Sequence, residues 1–330
     1  MIRLGVIGTN WISKSFVEAA LATGKYVFSG VYSRRQETGE AFCQGFGGGF
    51  TETDFISFCN REDIDIAYIA SPNALHFEQA KSLLMAGTSV IVEKPAVSNT
   101  YEFEEIKRVS MDHGTMFFEA ARHIHEANFQ SLRQNLAQIG QPIGGYLNYI
   151  QYSSRYDAVL NGEEPNIFSL DYSGGTLMDL GVYPVYGAVS LFGEPQSARY
   201  FARKIRTGVD GFGTILLDFG SFDLTIMVSK TAYSKAGIEI YGTEGTLMAN
   251  SIANIEHIEV ESKDGLSGNL SGPMAPHGMM EEADTFADIF LDKDDASYEK
   301  LLELSETVCR VMTKLRQDGG IQFPADRYLK

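Results

Sequence analysis

Apolar residues follow two rhythms along the chain, and the change falls near residue 121. Before it, short β-branched and aromatic runs alternate with stretches of helical spacing. RLGVIG (3–8) ends in Gly8, and residues 10–21 carry apolar positions at Trp11, Ile12, Phe16, Ala19 and Ala20 before stopping at Gly24. VFSGVYS (27–33) predicts the next strand and 35–46 a polar helix. IDIAYIAS (64–71) predicts a strand buried on both faces, and 75–85 a helix closed by Gly87. SVIVEK (89–94) is another strand, 100–113 a helix and TMFFEA (115–120) a further strand. Strand–helix alternation at this pitch predicts right-handed crossovers and a parallel sheet covered on both faces. Ligands of such sheets lie outside the carboxyl ends of the strands.

After Arg122 this rhythm stops. Residues 126–136 predict a helix, 144–152 a strand and 154–174 a loop-rich stretch. Segments 197–206, 212–218, 222–231, 236–241 and 245–249 predict strands of a meandering sheet, with a hairpin turn at Gly242–Gly245. Two amphipathic helices follow at 279–291 and 298–315, and the Gly-, Ser- and Pro-rich stretch 263–278 is expected to be disordered. The predicted organisation is an α/β domain over 1–121 and an α+β domain over 122–330.

Composition narrows the function classes. A chain of 330 residues with 44% hydrophobic and 21% charged residues is ordinary for a globular protein of two domains. A formal net charge of −16 argues against nucleic acid and against anionic membrane surfaces, both of which attract Lys and Arg. No apolar run approaches the ~20 residues that span a bilayer. Cys43, Cys59 and Cys309 are scattered and odd in number, as expected of reduced thiols. Met1-Ile2-Arg3 runs directly into a strand, leaving no room for a signal peptide, so the expected location is cytoplasmic.

The strand ends carry the candidate chemistry. A G-x-G-x-x-G template after the first strand falls on Gly8, Asn10 and Ser13, with only the first glycine intact. Gly8 permits the tight turn, Asn10 tolerates positive φ better than other non-glycine residues, and Ser13 is small enough for close helix packing. The helix N-terminus behind them suits a pyrophosphate. The second strand ends Tyr32-Ser33-Arg34-Arg35, without the acid that holds a ribose 2′-hydroxyl. Guanidinium groups beside a small hydroxyl suit a 2′-phosphate instead, favouring NADP over NAD. Ser71-Pro72-Asn73 ends another strand, where Pro72 stops the ladder and Asn73 is placed to cap the next helix ahead of His76. VIVEKPA (90–96) turns abruptly from buried apolar residues to Glu93, Lys94 and Pro95. Farther on, Asp179 and Tyr183 are four apart and share a helical face, with Pro184 freeing the carbonyl of Leu180. A buried capping role for Asp179 is the structural alternative. His123, His125 and Glu126 lack further ligands for a metal, and no metal is expected.

In order, GVIGTNWIS, SPNALH, EKP, FFEAARH, GGTLMDLGVYPV and YGTEGTL resemble the glucose–fructose oxidoreductase / inositol dehydrogenase (Gfo/Idh/MocA) family over nearly the whole chain. The resemblance implies an N-terminal Rossmann domain that binds NAD(P). It also implies a second domain with a large, mostly antiparallel open sheet serving substrate binding and subunit contacts. Gly8, Thr9, Asn10 and Trp11 would form the phosphate turn, with Ser71, Asn73 and His76 lining the cofactor path and Glu93 approaching the cofactor. Lys94, Asp179 and Tyr183 would be the catalytic residues. The family acts on sugars, cyclitols, diols and their carbonyl forms, and an exposed sheet face implies a homodimer or homotetramer.

Oxidising an alcohol requires removal of a proton as hydride leaves carbon. A lysine, with a pKa of about 10.4 in water, becomes a usable base when burial and a neighbouring cation lower that value. The expected activity is hydride transfer between nicotinamide and a CH–OH carbon, with Lys94 exchanging the proton. Asp179 would tune Lys94 or bind a second hydroxyl, and Tyr183 would bond the reacting oxygen. A non-redox glycosidase of the same family and a non-catalytic NADP(H)-binding regulator are the alternatives.

Overall fold

The computed structural model describes residues 1–329, which divide into two compact units. The first comprises Met1–Arg122 and Ala275–Glu303, the second His123–Met274 and the chain from Leu304. The chain first leaves this unit after Arg122, returns to it at Ala275 and leaves again after Glu303.

The first unit holds β1 (Ile2–Ile7), α1 (Trp11–Ala22), β2 (Tyr26–Tyr32), α2 (Gln36–Gln44), β3 (Phe50–Glu52) and α3 (Phe55–Cys59). They are followed by β4 (Ile66–Ile69), α4 (His76–Met85), β5 (Ser89–Glu93), α5 (Thr100–His113) and β6 (Phe117–Ala120). All six strands are parallel, in the order β3-β2-β1-β4-β5-β6. This is the doubly wound order of a Rossmann fold, whose strand sequence reverses between β1 and β4. β4 and β5 are buried at every position, which is why they read as unbroken apolar runs.

The returning segment completes this core. Helix α9 (Met280–Asp292) follows the sheet strands of the second unit in the chain, yet it buries Ala283, Phe286, Ala287 and Ile289 in the core of the first. Phe286 stacks on Phe118 with ring centroids 4.8 Å apart, and the Tyr26 hydroxyl donates to the Ala283 carbonyl at 2.8 Å.

The second unit holds α6 (Ala127–Asn135), β7 (Pro142–Ile150), α7 (Tyr156–Leu160), α8 (Val182–Phe192), β8 (Ser197–Lys204), β9 (Asp210–Asp218) and β10 (Asp223–Ser229). The sheet continues with β11 (Ile238–Gly242), β12 (Gly245–Ala249), β13 (Ile258–Ser262) and β14 (Ser267–Asn269). Its order is β14-β13-β12-β11-β7-β10-β9-β8, antiparallel throughout except where β7 and β10 run parallel. The stretch 263–278, expected to be disordered, instead contains β14, paired with β13. Leu270 N donates to Ile258 O at 2.9 Å and Ser262 N to Leu266 O at 2.8 Å, backbone bonds that a composition-based reading does not weigh. The helix α10 (Asp295–Asp318) contributes its first turns to the first unit and the rest to the second. Among the described residues no helix is long and apolar enough to cross a membrane, and no group of three His, Cys, Asp or Glu is placed to hold a metal ion.

Candidate functional site

Gly8, at the end of β1, has φ +101°, and a Cβ there would lie 3.2 Å from the Ala70 carbonyl oxygen at the end of β4. The turn therefore packs backbone against backbone at the point where strand order reverses. Asn10 departs from expectation. Its φ is −79°, and it works as the N-cap of α1, with Oδ1 accepting from Ile12 N at 2.9 Å and Ser13 N at 3.0 Å. Its Nδ2 donates to Ala70 O at 2.8 Å, tying β1 to β4. Two amides of the helix start are thus taken by Asn10, while the N–H groups of Asn10 and Trp11 meet no acceptor among the described residues. Thr9 is half-buried and Trp11 is 76% exposed. This arrangement fits a dinucleotide phosphate group: a tight glycine turn, available amide donors and a helix N-terminus.

The end of β2 also fits. Ser33 is buried and folds its hydroxyl onto its own turn, donating to Arg35 O at 3.0 Å, so it acts in shaping the loop. Arg34 and Arg35 are exposed, and neither is committed to an acid among the described residues.

At the end of β4, Ser71 Oγ donates to Gln79 Oε1 at 2.6 Å. Asn73 does not cap α4. It opens a 3₁₀ turn, Asn73–Leu75, because Pro72 holds the chain extended just before it, and α4 starts only at His76. His76 is buried between two carbonyl oxygens, with Nδ1 3.0 Å from Pro95 O and Nε2 2.7 Å from Ser71 O. Burial pulls its pKa down to about 4, against the two carbonyls, which favour the protonated ring. Burial prevails, so at neutral pH the ring donates to only one of them.

Glu93 and Lys94 end β5. Glu93 is buried and accepts the Tyr68 hydroxyl at 2.5 Å; burial pushes its pKa up, against the charge of Lys94 and the tyrosine bond. The Lys94–Pro95 peptide is cis. The chain beyond is held at each step: Pro95 O faces His76, Ala96 N donates to Glu119 Oε1 at 2.9 Å, and Ser98 N donates to Glu102 Oε2 at 2.7 Å. From Thr88 to Asn99, Lys94 is the single residue that is not buried. The turn therefore presents one side chain, a lysine, at the carboxyl end of a parallel strand. The first unit thus brings Gly8, Asn10, Ser71, His76, Glu93 and Lys94 onto adjoining ends of β1, β4 and β5.

Asp179 and Tyr183 belong to the second unit. Asp179 lies in a π-helical turn, Leu177–Gly181, and Tyr183 in the first turn of α8. The π-helical turn runs directly into α8, so Pro184, which has no N–H, lies inside one continuous helical stretch just after the widened turn. From Ser173 to Val189 only Asp179 and Tyr183 are not buried, so the two do share a face. The Tyr183 ring packs edge-on to Tyr149, centroids 5.3 Å apart, and its carbonyl lies 3.0 Å from His123 Nε2.

One residue of this site was missed from sequence. Lys230, directly after β10, is buried and forms an ion pair with Asp179 through Oδ2. TIMVSK (225–230) has the same form as SVIVEK (89–94), an apolar strand ending in lysine, and that likeness was the available signal. A separate cavity of about 590 Å³, lined by Gln317, Phe323, Asp326 and Arg327 among others, contains none of the candidate residues.

Comparison with known proteins agrees with this geometry. Residues 2–121 match the family model described as oxidoreductase family, NAD-binding Rossmann fold, and residues 129–248 match the GFO/IDH/MocA C-terminal domain. The chain is 37% identical over 327 residues to a scyllo-inositol 2-dehydrogenase (NADP(+)) of Bacillus subtilis, covering 99% of this chain and 100% of that one. It is 36% identical over 326 residues to an uncharacterized oxidoreductase of Escherichia coli, with 99% of each chain covered. Among solved structures, a 3-ketoreductase from Actinomadura kijaniata in complex with TDP-benzene and NADP superposes with a TM-score of 0.83 at 22% identity, over 96% of this chain and 97% of that one.

Proposed function

The chain belongs to the Gfo/Idh/MocA family and is an NAD(P)-dependent oxidoreductase; from that premise we propose that it is an NADP-dependent dehydrogenase acting on a secondary hydroxyl of a cyclitol or a similar polyol. The observation that carries the proposal is the turn after β5, where Lys94 alone emerges from twelve otherwise buried residues. A relative sharing 37% identity over its whole length is an NADP(+)-dependent scyllo-inositol dehydrogenase, which supports both the cofactor and the substrate class. Arg34 and Arg35, uncommitted at the end of β2, suit the 2′-phosphate.

The bound dinucleotide would accept or supply the hydride. Gly8, Thr9, Asn10 and Trp11 would hold its phosphates, and Ser71, Asn73 and His76 would shape the path beside it. Lys94 would take the proton from the substrate hydroxyl, or return it in the reverse direction. Its backbone is clamped on both sides, which lowers the entropy lost in reaching the reactive geometry. Tyr183 would hydrogen-bond the reacting oxygen, and Asp179 would accept from a neighbouring hydroxyl.

The experiment is a titration of the purified protein with NADPH and NADH by nicotinamide fluorescence, followed by a screen of cyclitols and sugars for net change in nicotinamide redox state. Tighter NADPH binding with net turnover supports the proposal, and Arg34→Ala should reduce the preference. Product without net nicotinamide change would point to a non-redox glycosidase. Binding of neither nucleotide would end the proposal.

A further inference from the structure

Several buried groups of the second unit, all outside the 173–189 segment, converge on it. Lys230 is fixed by its own backbone: its amide donates to Gly211 O and its carbonyl accepts from Ser153 N, both at 2.9 Å. Its ammonium lies 5.5 Å from the centre of the Phe168 ring and donates to Asp179 Oδ2. Asp210, the neighbour of Gly211, reaches the same segment. Its Oδ2 accepts the Leu177 amide at 2.6 Å and the Tyr200 hydroxyl at 2.5 Å, so it holds the start of the π-helical turn that carries Asp179. The β9 strand start thus anchors both the backbone beneath Asp179 and the residue that pairs with it.

We propose that Lys230 is a positioning residue of the reaction: its ammonium holds the Asp179 carboxylate ionised and in one orientation, so that Asp179 accepts hydrogen bonds from the hydroxyls of a polyol and does not take up the substrate proton. This rests on the reading of Asp179 as a substrate-facing group. A carboxylate is an acceptor with about four lone-pair sites, so an ammonium on Oδ2 does not exhaust it. A neighbouring cation favours the charged carboxylate. Charge-assisted bonds to that carboxylate then select substrates rich in hydroxyl donors. Lys94 is left as the proton-exchanging group, which separates proton transfer from substrate orientation.

The test uses the full chain with four substitutions: Lys230→Met, Lys230→Arg, Asp179→Asn and the double Lys230→Met/Asp179→Asn. On the polyol turned over by the wild type, Lys230→Met should lower kcat/KM by roughly 10- to 150-fold, the range for losing a hydrogen bond to a charged group. Most of the loss should lie in KM, with NADPH affinity unchanged. Arginine should recover most of it, and adding Lys230→Met to Asp179→Asn should cost little more than Asp179→Asn alone. Wild-type KM and kcat in Lys230→Met, or an equal loss in both backgrounds, would overturn the proposal. The double variant carries neither charge of the pair and so keeps the test open if Lys230→Met alone does not fold. If the wild type turns over no polyol, the functional reading fails on its own. Thermal unfolding of the same proteins then decides the pairing: a double variant more stable than Lys230→Met supports it, and additive losses overturn it.

Discussion

Around Lys94 the holding groups grip backbone. His76, Glu119 and Glu102 bond to Pro95 O, Ala96 N and Ser98 N, and Lys94 alone in this stretch is not buried. Around Asp179 the holding groups are buried side chains, with Lys230 on the carboxylate and Asp210 on the Leu177 amide beneath it. Both stretches bury nearly every neighbour, yet these bonds hold backbone beside Lys94 and the carboxylate itself at Asp179. A residue that must exchange a proton needs reach, whereas one that must orient a substrate needs a set direction. The tasks proposed for Lys94 and Asp179 would draw on that contrast in support.

Substitutions can break or sharpen that contrast. The largest effect is expected from Lys94→Ala, which should lower kcat/KM by ~10³-fold or more, within the range for loss of a general acid–base. NADPH binding, read by fluorescence titration, should stay within a few-fold of wild type. Normal turnover in this variant would remove the first region from the chemistry.

Gly175→Ala tests the charge-held region. Gly175 has φ +119°, and a Cβ there would overlap Asp210 Oδ1. Strain together with displaced Asp210 bonds should cost about 4 kcal/mol in urea unfolding. His76→Gln tests the clamp through pH. The folded-state pKa of His76 is lowered by burial to about 4 from 6.5, so the unfolded chain takes up the proton first as pH falls. Its contribution is intact above pH 6.5 and declines toward pH 4, by up to about 3 kcal/mol. The stability difference between wild type and variant, followed over that window, should show this loss. The smallest effect is expected from Glu119→Gln, which keeps an acceptor for Ala96 N and should cost about 1 kcal/mol or less. A loss there as large as that from Gly175→Ala would mean that charge matters equally in both regions.

The parallel sheet was legible because strands buried on both faces read as continuous apolar runs, and Lys94 stood out at the end of one. Asp179 and Tyr183 were legible as a spacing, and the structure gives them a common face. β3 and α3 were not, being three and five residues long, below any readable period. Asn10 was misjudged for a physical reason: its side chain satisfies two orphan amides of α1, and a capping residue is extended, not left-handed. Asp210-Gly211 has the composition of an exposed turn, yet Asp210 is 1% exposed and holds the Leu177 amide. Pairing between distant side chains leaves no mark in local sequence: TIMVSK marks Lys230 as a strand-end lysine but not as the partner of Asp179.

The two-segment make-up of the first unit has a consequence for its birth on the ribosome. Between Arg122 and Ala275 lie about 150 residues, which at roughly 5–20 residues per second take on the order of 8–30 s to synthesise. During that interval the doubly wound sheet is complete, but Phe118 and Tyr26 still await Phe286 and Ala283. The nascent chain therefore carries an uncovered apolar patch through nearly half of its elongation, and this domain, first to be made, is among the last to be sealed.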